Sequence, residues 1–248
     1  TGGDGVWQNV SGNDNWTLDD ASINAPFLDG AFAIFSGAAG TVTVDDDLGA
    51  INVSGMQFAS DGYAIEGDPI HLAGAPASVI RVGDGTAAGA GVTATITSDL
   101  LGASQLVKTD LGTLILTGAN SYGGGTAING GALRISGDAN LGDAAGGLSF
   151  GGGKLNTTAG IVSNRTVSLS GDGVFETNAG TSLALNGVIS GAGGLTKDGT
   201  GTLILAGANN YAGSTTVSAG SLFVNGDQSG VAGLTSVATR RALGGTGP

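Results

Sequence analysis

Short runs in which apolar and polar residues alternate recur along the whole chain. TVTV at 41–44, INVSGMQF at 51–58, YAIEG at 63–67, SVIRVG at 78–83 and TLIL at both 113–116 and 202–205 place every second side chain on one side, the two-residue period of a strand. Clusters of Gly, Asn and Asp separate the runs and mark tight corners. No segment keeps the 3.6-residue apolar period of a helix. Alternation predicts that Leu114, Leu116, Leu203 and Leu205 face inward, with Leu133, Ile135, Leu222 and Val224. Ile115 and Ile204 then fall on the opposite side.

The runs are organised by an internal repeat. Residues 106–138 align without a gap on 195–227 at an offset of 89, and roughly half of the aligned positions are identical, the signature of a repeat architecture. Shared anchors are Lys108/Lys197, Gly112/Gly201, Asn120/Asn209, Tyr122/Tyr211, Gly131/Gly220 and Leu133/Leu222. Three strand candidates in one copy, 113–116, 126–129 and 132–135, fill roughly one solenoid coil of about 20–25 residues. Four coils then account for the offset. Further candidates between the copies are Gly147–Phe150, Thr166–Leu169, Val174–Thr177 and Ser182–Leu185. Each such coil buries its inward side chains only by stacking on its neighbours. The first thirty-five residues differ, holding Trp7, Trp16, Phe27, Phe32 and Phe35. Residues 1–35 read as an irregular N-terminal cap or first coils, and 36–248 as the solenoid. A binding site is the rival reading for these aromatics.

Composition narrows the class. With 50 Gly in 248 residues but no Gly at every third position, collagen is excluded; 40% hydrophobic and 11% charged residues exclude disorder. A net charge of −12 argues against nucleic acid and anionic membrane surfaces as partners. The basic residues are scattered apart from Arg240-Arg241, and there is no Cys to staple the fold. No apolar stretch reaches the roughly 18 residues of a membrane span. Opening at Thr1 without Met, the sequence reads as a processed or excised piece.

The two copies resemble the passenger-associated transport repeat of autotransporters, whose pattern is matched at Leu195, Lys197, Gly199, Gly201, Leu203, Leu205, Gly207, Asn209, Tyr211, Gly213, Thr215, Val217, Gly220 and Leu222. The first copy departs at Asp110, where the pattern has Gly. The GVWQN…NDNW start and the LGGTGP tail resemble the same passengers. The resemblance implies a right-handed parallel β-helix, type V secretion and a C-terminal outer-membrane barrel outside this chain. It implies a passenger at the surface of a Gram-negative cell or secreted from it. Expected partners are host cell-surface or extracellular-matrix molecules.

Candidate chemistry is sparse. Gly147–Gly151 spell G-x-S-x-G around Ser149, yet GGGKLNTT follows where a nucleophile elbow needs a helix. His71 is the one histidine available to a triad. Lys154 follows a Gly run without the Ser or Thr of a phosphate loop. Asp45–Asp47 could bind a cation or, with Arg81, imitate a polysaccharide-cleaving site; a solvated turn is the simpler reading. Asn120 and Asn209 could contact ligands but read more simply as corner residues bonded to backbone amides, and Tyr122 and Tyr211 as rings packed over the corner with exposed hydroxyls. The Thr rows at 41–43 and 93–97 evoke ice-binding surfaces but span few coils. No catalytic, cofactor or metal residue is assigned. The expected function is a non-enzymatic rigid stalk or adhesin-like module whose repeats assist secretion and folding. The alternatives are a polysaccharide-acting β-helix enzyme and a diffusible ligand of a host receptor.

Overall fold

Alternating strands bury one side only, so each needs neighbours that close the far side of a core. The computed structural model, which describes residues 2–9, 16–17, 24–25, 27–238 and 241–247, meets this need with parallel strands stacked on three faces. Among the described strands the faces follow one order, first, second, third, and some coils leave a face without a strand. The first face is an 11-stranded sheet running from Gly5–Trp7 to Thr235–Val237. The second carries a 3-stranded sheet (Ile51–Val53, Ile70–Leu72, Leu100–Leu101) and, further along, a 5-stranded sheet from Ile161–Ser163 to Ala242–Gly244. The third is an 8-stranded sheet from Phe32–Phe35 to Ile189–Gly191. The chain is an all-β solenoid of about ten turns. Among the described residues, helix is limited to two 3-10 turns, Ala87–Gly91 and Asp138–Leu141.

The inward register follows the alternation. Leu114, Leu116, Leu133, Ile135, Leu203, Leu205 and Leu222 are buried, Val224 is partly buried against them, and Ile115 and Ile204 sit half-buried on the outside. The coil assignment needs correction. Strands Thr113–Leu116 and Ala132–Ile135 are not two sides of one coil. They pair directly, Leu114 against Leu133, one full turn apart on the first face, with Thr126–Ile128 on the third face between them. From Leu114 the chain returns to the first face at Leu133, Leu155, Phe175 and Lys197, each return taking 19 to 22 residues. Four coils therefore end at Lys197, and Leu203 lies six residues on, on the second face. The second repeat copy is turned by one face relative to the first.

At the N-terminal end, fully buried Trp7 meets Trp16, Phe27 and Phe35 at ring distances of 5.0–5.6 Å. Trp16–Thr17 pairs with Asn24–Ala25, the one antiparallel pair among the described strands. Phe32 instead points outward across Gly55, where a Cβ would stand 2.7 Å from its ring. Asn13–Asn15 of the second Trp motif, Arg240 and Pro248 lie outside the described residues.

Candidate functional site

The repeat builds the same corner twice. In each copy an inward lysine precedes a turn, and its ammonium is removed from solvent. Lys108 Nζ donates to the carbonyls of Thr109 (2.8 Å), Asp110 (3.0 Å) and Gly130 (3.2 Å). Lys197 Nζ donates to Asp198 (2.6 Å), Gly199 (2.7 Å) and Ala219 (3.2 Å). Desolvation lowers both lysines to about 8, with Asp110 opposing it at Lys108, and Asp198 and Glu176 at Lys197.

Asparagine replaces strand at the next face. Asn120 Oδ1 accepts from the Leu100 amide at 2.8 Å, and its Nδ2 donates to the Asn140 carbonyl at 2.7 Å. Asn209 Oδ1 accepts from the Ile189 amide at 2.7 Å. The side-chain oxygen thus takes the Leu100 and Ile189 amides, while the Ser121 and Asn210 amides still donate to the Leu100 and Ile189 carbonyls. The tyrosines differ from expectation. Both are buried, hydroxyl included. Tyr122 bonds Thr126 at 2.7 Å and Tyr211 bonds Thr215 at 2.6 Å. Since the Thr126 hydroxyl donates to the Leu141 carbonyl, the Tyr122 hydroxyl donates to Thr126. The chain rounds the corner and brings a threonine back under the ring, a partner that spacing alone did not reveal. Asp110 keeps the turn that Gly199 makes in the other copy, at φ 66 against 71. Asp tolerates this left-handed region better than most residues, and its carboxylate is held by the Gly85 amide (2.9 Å) and Arg81 (3.4 Å).

The residues singled out for chemistry are scattered. Ser149 lies mid-strand on the third face between Ala127 and Ser168. His71 lies on the second face between Asn52 and Leu101. Three strand spacings along the third face, about 14 Å, separate the two coils. Asp45 accepts from Gln8 Nε2 at 2.6 Å, and the Asp46 amide bonds Asp68 at 3.1 Å. Desolvation first, and Asp68 second, holds the Asp46 carboxyl above its ordinary value. Arg81 is elsewhere, on the third face with Asp110. Lys154 pairs with Glu176 across the first face at 2.7 Å. Among the described residues no group of three or more His, Asp or Glu is disposed to hold a metal ion. The Thr rows are interrupted, Thr41 and Thr95 being separated by Ala64, and Thr43 adjoining Glu66.

One organising residue gave no signal in the sequence. Buried Arg165 pairs with Asp138 (3.1 Å) and donates to the carbonyls of Asp138, Asp143, Gly142 and Gly146. It fastens the irregular segment between Ile135 and Leu148.

A family model described as the passenger-associated-transport-repeat matches residues 106–135 and 195–223, the two corners just described. The chain carries two passenger-associated transport repeats. Over 231 residues, 91% of this chain, it is 59% identical to a protein named "Adhesin BmaC autotransporter" from Brucella suis biovar 1 (strain 1330). The chain spans 7% of that relative's length. No solved structure matches it.

Proposed function

We propose that this passenger-repeat solenoid is a non-enzymatic segment of an autotransporter passenger, exported through the outer membrane of a Gram-negative cell and displayed at its surface or released. The identity to an adhesin autotransporter along 91% of the chain carries this reading, and the two matched repeats support it. The solenoid serves as a rigid rod and presents its faces to host cell-surface or matrix molecules. Its aromatic N-terminal end, 1–35, acts as a cap, and the repeats assist export and folding. A barrel in the same polypeptide, outside this chain, is the expected export partner. The polysaccharide-enzyme alternative loses support because Arg81 and Asp45–Asp47 have different partners on different faces.

The test is adhesion. Beads coated with the purified chain should bind cultured host cells or a matrix protein saturably, and soluble chain should compete. Binding no better than that of beads carrying an unrelated acidic β-solenoid would reduce the segment to a stalk. Release of reducing ends from acidic polysaccharides would restore the enzyme reading.

A further inference from the structure

The two copies sit on different faces of the rod, so their shared geometry reflects the repeat and not the place it occupies. The most constant part of that geometry is the lysine. In both copies its ammonium contacts two carbonyls of the corner that immediately follows it and one carbonyl 22 residues later, in the corner of the next coil. We infer that Lys108 and Lys197 are inter-coil fasteners, through which each repeat locks its own corner to the corner stacked on it. An ammonium suits the task because its three donors diverge toward three acceptors, whereas an apolar side chain would leave three inward carbonyls without a partner.

The surroundings are shaped to this occupant. Gly220 has φ +66, and a Cβ there would stand 2.9 Å from Lys197 Nζ and 2.2 Å from the Gly201 carbonyl. Gly131 has φ +58 in the first copy, and a Cβ there would collide with the Gly112 and Asp110 carbonyls. The repeat glycine thus clears the space in which two corners meet around the lysine. The strands agree with this division. Lysine's own strand pairs with the third strand of the same repeat, Lys108 against Ile128 and Lys197 against Val217. The fastener and the strand pairing therefore join the same two coils. About 30 residues suffice to close one turn on the next, which fits the extent of a solenoid repeat.

Any benefit to export rests on the function proposed above; the fastening does not, and it is tested on the isolated chain. Lys108→Met and Lys197→Met should each lower Tm by about 3–10 °C, and hydrogen exchange should speed up first around 199–201 and 218–221 in the second variant. Lys154→Met, which removes only a surface ion pair, should leave Tm within about 2 °C. Lys197→Ala should regain part of its Tm in n-propylammonium but not in equal 1-propanol, because the latter fills space without an ammonium. Lysine variants that melt with the parent, or rescue by propanol as good as by propylammonium, would overturn the inference. Reduced Tm with normal surface yield of a passenger carrying Lys197→Met would leave the fastener standing and remove its role in export.

Discussion

Leu114 and Ile115 are adjacent and chemically alike, yet one fills the core and the other coats the rod. Leu114→Ala should cost about 2–5 kcal/mol in urea unfolding, the usual range for a buried leucine, and Ile115→Ala well under half as much. Equal losses would mean the register is wrong. This contrast was legible in the sequence because the strand period admits only two orientations. Tyr122 was not legible. Whether its hydroxyl meets water or Thr126 depends on where the chain goes after the corner, and the three glycines between them do not say. The burial of Lys108 was equally hidden, since its acceptors include a carbonyl from another coil.

At the scale of elements, the strands could be read but their faces could not. Thr113–Leu116 and Ala132–Ile135 look like successive sides of a coil. They are stacked partners because the segment through Asn120 and Tyr122 forms a side without a strand. The segment from Asp138 to Gly147 shows a related economy. It has one 3-10 turn and no strand, and its order depends on Arg165, contributed by a later coil. Arg165→Ala leaves Asp138 and several inward carbonyls without their donor. A loss of about 3–5 kcal/mol is expected, as for breaking a buried ion pair, with early proteolysis at 138–147. Arg165→Lys should recover little, because one ammonium cannot span that many acceptors. Full stability in Arg165→Ala would show that strand stacking alone orders the segment.

Over the whole molecule, titration couples to stability through buried lysines and tyrosines. Lys108 and Lys197 release their protons near pH 8 in the folded chain and near 10.5 once unfolded. Between those values the unfolded state binds more protons, so stability should rise with pH: the neutral amine keeps two donors for the corner carbonyls and removes the cost of a buried charge. Tyr63, Tyr122 and Tyr211 are raised above 10.0, chiefly by desolvation. Above pH 10 the unfolded chain ionises its tyrosines first, and stability should fall. Urea midpoints should therefore rise from about pH 8 and peak near pH 10, and the rise should vanish when both lysines are Met. A midpoint that falls steadily from pH 7 upward would contradict this.

The turn of one face between the repeat copies has a consequence for how the rod meets its surroundings. A motif spaced by a whole number of coils would draw a straight stripe, and everything it displayed would look the same way. Here the second copy presents its Asn and Tyr corner on the third face, whereas the first presents it on the second face. Were the spacing kept, three steps would restore the original direction, and the corners would wind about the axis like treads on a spiral stair. A flat target could touch only one tread in three, while a fibre lying along the rod would have to coil with it to touch them all.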